Sequence, residues 1–449
     1  MNESMRPAGN GSACPRLVPW SEKAPAISYI GTVYPRPVTG SPPPPEADAA
    51  DAMKGRGNAM EVFSVFLKLG LTSFGGPIAH LGYFHREFVQ RRRWLDDAGF
   101  AQLLMVCQFL PGPASSQMGL AIGLFRGGWR GALAAFAAFT LPSALLMLGF
   151  AAAVSRLHHG VYPAVVHGLK LVAVAVVAHG LVGMARQLLP DVRHALIACL
   201  ALAVAVLAGN AWGSLIAVGL GGLLGMWLCA HARAPVAAVF PVRYGARGAA
   251  ISLALFVAGL AASLVLPFST VPTAPRIASA FYQAGALVFG GGHVVLPLLQ
   301  HAVVDSGWVG PDTFLAGYGA AQAMPGPMFS LAAFLGAEAS SGLPAVVGAG
   351  IALLAIFLPG FLLLLSVLPI WNQLVCRPWA ARAVAGAGAA VVGLLAAAFH
   401  DPVWTEGVRA PIDLAIAAVG FALLAVARIS AAWVVLWCVV AALAVQRLM

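Results

Sequence analysis

Charged residues are scarce in this sequence. Only 9% of its 449 residues are charged, whereas 60% are hydrophobic, and the mean hydropathy is +0.86. A soluble domain normally carries about 25% charged residues, so this chain has too little polar surface to cover a water-soluble globule. The composition therefore predicts an all-α polytopic membrane protein, with apolar sequence for about a dozen spans of roughly 20 residues each.

Cysteine and acidic residues are also few. The six cysteines include no Cys-x-x-Cys pair, so neither a disulfide framework nor a zinc site is indicated. Asp and Glu total 16 and form no clustered pair within the apolar segments. Because a membrane enzyme needs such a cluster of ionisable side chains, we expect a protein without enzymatic activity, catalytic residues, cofactor or bound metal.

Residues 1–57 lack any apolar run and contain the proline tract Pro42–Pro45. A secretory signal needs a continuous apolar core, so this composition instead predicts a disordered tail. The formal net charge of +10 comes mostly from basic residues that lie between apolar runs. That distribution is typical of loops that face the cytoplasm and does not indicate nucleic-acid binding.

Thirteen apolar segments follow the tail, arranged as six, one and six. We assign a first repeat to residues 58–230, a basic loop and linker helix to 231–274, and a second repeat to 275–449. The repeats match at an offset of about 215 residues, and the matching positions include glycine, proline, glutamine and tryptophan. If each repeat crosses six times and the linker once, the two halves are inverted, with the site near the bilayer midplane. This parity depends on the second and ninth segments crossing instead of re-entering.

Two helix breaks occur in each repeat, a glycine break and a Pro-Gly-Pro break. The glycine breaks are Phe74-Gly75-Gly76-Pro77 and Phe289-Gly290-Gly291-Gly292. Proline removes a backbone N–H and clashes with the preceding turn, so Pro111-Gly112-Pro113 and Pro325-Gly326-Pro327 each interrupt a segment. Irregular backbone is tolerated at membrane depth only inside protein or beside water. The second proline of each motif suits the first position of a new helix, whose N-terminus favours an anion. The alternatives are a structural kink and close packing of helices through small residues.

These breaks define the candidate substrate-binding residues. We expect the main anion contact in the first repeat, because Lys68 and Ser115 correspond to Gln283 and Phe329 in the second. Lys68 could instead snorkel to the interface. The full set is Lys68, Ser73, Gly75, Gly76, Gln108, Gly112, Ser115, Ser116, Gln117, Gly290, Gly291, Gln322, Gly326 and Ser330.

Two further groups have open roles. His80 and His293 flank the glycine breaks and could carry protons, or could be satisfied core histidines. A basic cluster could anchor the chain at the cytoplasmic face or attract anions as an electrostatic funnel. That cluster consists of Arg86, Arg91, Arg92 and Arg93.

The paired motifs resemble those of the chromate ion transporter family. The resemblance rests on Phe66-Leu67-Lys68-Leu69-Gly70, Ser73-Phe74-Gly75-Gly76-Pro77 and Gln108-Phe109-Leu110-Pro111-Gly112-Pro113, with their second copies around Phe289 and Gln322. It implies a bacterial inner-membrane transporter that exports chromate and gives chromate resistance, with sulfate as a competitor. A transporter of sulfate or another small anion, an anion channel, and a homodimeric assembly stay open.

Overall fold

A computed structural model describes most of the chain beyond the tail. The described residues are 58–74, 76–154, 162–208, 211–229, 240, 242, 244–265, 273–288, 295–339, 342–371, 377–427 and 429–448. Within these ranges every regular element is helical. The tail predicted for residues 1–57 lies outside the described residues.

The first repeat contributes seven helices to this described part. They are α1 (Ala59–Thr72), α2 (Gly76–Phe84) with a π-helical turn at His85–Arg91, α3 (Asp97–Phe109), α4 (Ala114–Val154), α5 (Tyr162–Leu188), α6 (Val192–Ala208) and α7 (Ala211–Leu228). The linker helix α8 follows (Ala246–Val265).

The second repeat has a similar order of elements. They are α9 (Ala274–Leu287), α10 (Val295–Leu299) with a π-helical turn at Gln300–Val304, α11 (Pro311–Ala323), a 3₁₀ turn (Met328–Ser330) leading into α12 (Leu331–Glu338), α13 (Ala345–Val367) with a 3₁₀ turn (Leu368–Ile370), α14 (Pro378–Ala398) with a π-helical turn (Phe399–Trp404), α15 (Thr405–Gly407), α16 (Pro411–Ala425) and α17 (Ala431–Leu448).

Helix α4 reverses direction near its start. Gly128 has φ 62° and ψ −155°, a conformation that side-chain-bearing residues rarely adopt. The reversal brings Gly123 against the carbonyl group of Gly131, where a β-carbon would clash. The two parts of α4 therefore form a hairpin, and α12 and α13 form the same hairpin in the second repeat.

Helices α1 and α2 also form a hairpin, whose open end is held by charges. The Phe66 ring packs against Phe84 and Phe88, at centroid distances of 5.7 and 5.1 Å. Glu61, at the start of α1, lies 3.6 Å from Arg92, just after the π-helical turn. Arg126 reaches the same Glu61 carboxylate at 3.3 Å. The first part of α4 therefore ends beside the start of α1, at the end of the repeat farthest from the helix breaks.

The two repeats exchange their later helices. Helix α5 of the first repeat packs against α16 and α17 of the second, and α14 of the second packs against α6 and α7 of the first. Glycine permits these close crossings, with Gly168 against the backbone of Val439 and Gly225 against Gly386. Because of this exchange, the halves share one hydrophobic core.

The outer surface of this bundle is apolar. Five helical stretches are long and apolar enough to cross a membrane, and many large apolar side chains on them are exposed, such as Leu145 and Leu253. Lipid is the solvent that matches such a surface. The prediction of an all-α polytopic membrane protein is confirmed. The five stretches are Ala114–Ala153, Pro163–Leu188, Ala246–Val265, Ala345–Ile370 and Trp379–Gly407.

Candidate functional site

The helix breaks of the two repeats meet through reciprocal backbone hydrogen bonds. The N–H of Gly112 donates to the carbonyl oxygen of Val288, which ends α9, at 2.6 Å. The N–H of Gly326 donates to the carbonyl oxygen of Ser73, which ends α1, at 2.9 Å. Each Pro-Gly-Pro break therefore bonds to the residue that ends α1 or α9 in the other repeat.

Glycine is required in both Pro-Gly-Pro motifs. Gly112 (φ +124°) packs against Gly360 of α13, and Gly326 (φ +96°) packs against Ser143 of α4. A β-carbon at either position would come within 2.9 Å of a neighbouring heavy atom. Because both amide hydrogens are already donated to carbonyl groups, these two glycines shape the site and do not offer free N–H groups to an anion.

A buried histidine connects two of the breaks. His80 is 1% exposed, and its Nε2 lies 3.2 Å from the carbonyl oxygen of Ser73. Its Nδ1 lies 3.5 Å from the hydroxyl of Ser115, in the first turn of α4. A carbonyl oxygen only accepts hydrogen bonds, so Nε2 carries a proton. In the neutral ring Nδ1 then accepts from Ser115, and the His80 ring rests edge-to-face on Phe139.

Three buried hydroxyl groups, at the end of α1 and on α4, have no hydrogen-bond partner in the described part of the chain. They belong to Ser73, Ser116 and Thr140, which are 0%, 3% and 2% exposed. Ser73 contacts His80 through its carbonyl oxygen, and Ser116 and Thr140 adjoin Ser115 and Phe139, which also contact His80. An unsatisfied buried polar group costs about 1–3 kcal/mol. Such groups are candidates to bind a ligand. We call Ser73, His80, Ser115, Ser116, Gln117 and Thr140 the central cluster.

Gln117 has a bracing role in the central cluster. Its Nε2 donates to the carbonyl oxygens of Pro111 and Gly360, both at 2.9 Å. Its Oε1 has no partner among the described residues, but this atom can only accept hydrogen bonds. Gln117 therefore holds the Pro-Gly-Pro break against α13. Its side-chain oxygen, which only accepts hydrogen bonds, cannot stabilise a bound anion.

The corresponding region of the second repeat is mostly apolar. Phe329 and Phe357 occupy the positions of Ser115 and Thr140, and their ring centroids are 5.8 Å apart. Gln322 is buried and its Nε2 lies 2.9 Å from the sulfur of Met328. Ser330 is buried as well. The two halves are therefore chemically unequal, and among the described residues the fully buried hydroxyls without a partner belong to the first repeat.

The remaining candidate residues are dispersed. Lys68 and Gln108 have exposed side chains on α1 and α3, so they do not join the central cluster. Gly76 (φ +76°) has open space where a β-carbon would stand. Four other candidates, Gly75, Gly290, Gly291 and His293, lie outside the described residues.

Two of the four clustered arginines are neutralised by glutamate. Arg92 and Arg91 bond to the Glu87 carboxylate at 2.7 and 3.2 Å, and Arg92 also lies over the Trp94 ring. Burial raises the pKa of Glu87, but the hydrogen bonds from both arginines outweigh it, so the pKa stays below its ordinary value. Arg86 and Arg93 are exposed. These contacts pair Arg91 and Arg92 with an acidic side chain, and the anchor and funnel roles stay predictions.

Comparison with known proteins finds one family model that matches the chain in two places. The family model described as Chromate transporter matches the chain twice, over residues 60–226 and 275–443. The chain belongs to the chromate transporter family. Each match covers one copy of the glycine and Pro-Gly-Pro motifs.

Relatives in this family cover most of the transporter. A chromate transport protein of Cupriavidus metallidurans is 29% identical over 365 residues, 80% of this chain and 86% of the relative. One of Pseudomonas aeruginosa is 28% identical over 81% of this chain and 86% of its own. A probable chromate transport protein of Synechococcus elongatus is 30% identical over 74% of this chain and 81% of its own. No solved structure matches the transporter.

Sequence reasoning missed Thr140 in this site. Thr140 lies two residues before Pro142 in an otherwise apolar run. A polar side chain at that place was the available sign, but threonine often bonds to its own helix. Only the packing of α4 against α1 shows that its hydroxyl is left without a partner.

Proposed function

We propose that this protein carries chromate across the membrane and binds it at the central cluster. The observation that supports the site is the set of three buried, unpartnered hydroxyls on Ser73, Ser116 and Thr140. Chromate is a tetrahedral dianion with four acceptor oxygens, so hydroxyl donors from different directions suit it. The N-terminus of α4 adds backbone N–H groups that have no partner within the helix, and a partial positive charge beside Ser115 and Ser116.

Chromate and sulfate have the same shape and charge, and hydroxyl donors do not distinguish them. We therefore propose sulfate as a competitor for the central cluster. The alternative cargo, another small oxyanion, uses the same donors, and the alternative mechanism, an anion channel, predicts a flux that does not saturate. Uptake of each labelled anion separates the possible cargoes, including sulfate, and saturation with concentration separates a carrier from a channel.

We further propose that the repeats are inverted in the membrane, through fewer crossings than the thirteen segments suggested. The first two broken segments are α1 with α2, and α3 with the first part of α4. The ion pairs of Glu61 with Arg92 and Arg126 bring both ends of each segment to the same end of the repeat. In a bilayer such segments enter and return on the same side. Each repeat then crosses four times, with the second part of α4, α5, α6 and α7 crossing in the first.

The repeats are still inverted with four crossings each, because an even number of crossings returns the chain to the side on which the repeat began. The linker α8 then starts the second repeat on the opposite side. An independent contact supports this: Lys170, near the start of α5, pairs with Asp312, at the start of α11. Since α5 begins on the side reached by α4, the second repeat begins there too.

Export from a bacterial cytoplasm through the inner membrane follows from the charge of the cargo. With the interior negative, moving a dianion outward is favoured by about 4.6 kcal/mol per 100 mV, from about 2.3 kcal/mol per charge. Such export lowers cytoplasmic chromate and gives chromate resistance. His80, which touches Ser73 and Ser115, is the proposed proton-linked residue if transport is also coupled to protons.

The test is labelled chromate uptake into everted membrane vesicles. We expect saturable uptake that rises with an interior-positive potential and falls with added sulfate. Ser116→Ala should lower kcat/KM about tenfold or more, because a hydrogen bond to a charged group contributes roughly 1.5–3 kcal/mol. Ser366→Ala is the matched control, since Ser366 is buried but its hydroxyl already bonds to Leu363 at 2.8 Å. Equal activity in both variants would remove this site.

A further inference from the structure

A group of charged side chains joins the two repeats away from the central cluster. Lys170 of α5 is 2% exposed and pairs with Asp312 of α11 and, at 3.6 Å, with Glu406 of α15. Arg409 lies 2.9 Å from Glu406 and 3.7 Å from Asp312. The lysine comes from the first repeat, whereas its two acidic partners and the arginine that they share come from the second.

A second pair continues this contact along α5. Nε2 of His167 lies 2.7 Å from the carboxylate of Asp413, at the start of α16. The other oxygen of Asp413 accepts from the backbone N–H groups of Arg409 and Ala410. We call Lys170, His167, Asp312, Glu406, Arg409 and Asp413 the gate cluster.

Behind the gate cluster, α5 and α11 are in very close contact. Gly319 of α11 lies against the carbonyl group of Leu169, with no room for a β-carbon. Every residue of α11 from Phe314 to Gln322 is buried. Because α11 leads from Asp312 to the Pro-Gly-Pro break, this contact closes one approach to the central cluster.

The counterpart helix α3 in the first repeat is not closed in this way. Met105 stands at the position of Gly319, so the same close approach is sterically blocked there. Ala98 takes the position of Asp312, and α14, the counterpart of α5, has Arg382 but no lysine. Ala101 and Gln108 on α3 are exposed.

The exposure of Gln108 indicates water along α3. Gln108 lies next to the Pro-Gly-Pro break, which is the deep end of its segment. An amide side chain left in hydrocarbon without a hydrogen bond costs several kcal/mol. Its homologous position, Gln322, is buried under α5. The two approaches therefore differ, since Gln322 is buried beside α5 and Gln108 is exposed on α3.

We propose that the gate cluster is the closed gate of the transporter and that Lys170 is its positioning residue, with the α3 face as the open path in this conformation. Asp312 is 57% exposed and Glu406 34% exposed, so both carboxylates can regain water when the pairs separate. Lys170 is buried and needs those partners only while α5 and α11 are in contact. Opening at the gate cluster then accompanies closure along α3, which exposes the central cluster to alternate sides.

A matched pair of cysteines tests this gate. Gln108→Cys and Gln322→Cys occupy homologous positions in the two repeats, and a small water-soluble thiol reagent measures their exposure in membranes, above the labelling of the parent protein. We expect Gln108→Cys to react at least tenfold faster than Gln322→Cys. Adding Lys170→Met should raise the rate at Gln322→Cys severalfold and lower the rate at Gln108→Cys, because the gate opens.

Equal labelling of the two cysteines in the parent background would overturn the proposal, and so would unchanged rates with Lys170→Met. If Lys170→Met does not insert, Arg409→Gln decides the question. Arg409 is half-exposed, so its loss leaves no buried charge unpaired, and the same shift of smaller size is expected. The gate rests on the proposed transport function, but the labelling uses no chromate, so failure of one is distinguishable from failure of the other.

Discussion

Ser73, Ser116 and Thr140 each place a hydroxyl in the interior without a partner among the described residues. Each of them contacts His80 through its backbone or adjoins a residue that contacts it. Neutral donors can hold a dianion because several hydrogen bonds share the charge. A neutral site also leaves the anion free to depart, since no buried cation holds it permanently. Lys68, the cation favoured from the sequence, is exposed and does not join these groups.

Thr140→Val removes a hydroxyl and keeps the shape of the side chain. We expect chromate transport to fall about tenfold or more, by the loss of a hydrogen bond to a charged ligand. Thermal stability of the ligand-free protein should be unchanged or slightly higher, because an unsatisfied buried group is removed. Vesicle uptake and unfolding in detergent measure the two effects. Thr72→Val is the control, since that hydroxyl is exposed and bonds to Lys68; equal losses in both variants would contradict the role of Thr140.

Glu87 gives the first repeat a dependence on acid. Its pKa in the folded protein lies below the ordinary value of 4.5, since the bonds from Arg92 and Arg91 outweigh burial. A carboxylate whose pKa is lowered by folding stabilises the folded protein at pH values above its pKa in the unfolded chain. That stability is lost as the pH falls through the pKa of the folded protein. We expect the melting temperature to drop below about pH 4.5, and to drop less in Glu87→Gln. Parallel curves for both proteins would contradict this assignment.

Among the helices, the broken ones define the centre of the molecule. The breaks are held by bonds between repeats, from Gly112 to Val288 and from Gly326 to Ser73. Because these bonds use the backbone, they do not depend on which side chains surround them. The polar first repeat and the apolar second repeat can therefore keep the same central geometry.

Glycine substitutions separate backbone strain from packing in these breaks. Gly326→Ala meets both a positive φ and Ser143, whereas Gly76→Ala meets a positive φ in open space. We expect Gly76→Ala to lose about 1–2 kcal/mol and Gly326→Ala to lose more, measured as the order of melting temperatures. Gly149→Ala lies in a helix with open space and should be neutral or stabilising. The reverse order of the first two would contradict the packing of Gly326 on α4.

As a whole, the molecule combines two repeats that exchange helices. The last two helices of each repeat pack against the other repeat, so neither half buries its apolar faces alone. Because the repeats share one continuous core, they do not move apart as separate bodies. Motion at the centre instead changes local contacts between helices, such as that of α5 with α11. The gate cluster lies at such a contact.

Inverted repeats with four crossings each place the start of α1 and the end of α17 on opposite faces. Met60 and Gln446 are exposed at these two places. We expect Met60→Cys and Gln446→Cys to react with a membrane-impermeant thiol reagent in opposite vesicle orientations. The parent protein sets the background. Labelling of both cysteines from one side would contradict the proposed inversion. That result would not bear on the central cluster.

The sequence alone determined that the protein lies in lipid, that it contains an internal repeat, and where its helices break. Hydropathy and the effects of proline and glycine are local properties of the chain, so all-α membrane architecture, family and broken segments were predictable. It also indicated the first repeat as the richer in donors, from Ser115 and Ser116.

Only the tertiary structure decided which of those donors are free. Gly112 and Val288 are 176 positions apart by number and yet share a hydrogen bond, and no local pattern reports such a contact. The same holds for the hydroxyl of Thr140, the exposure of Lys68 and the pairing of Lys170 with Asp312. Each depends on which helices pack together, because burial and hydrogen-bond satisfaction are properties of the neighbours in space.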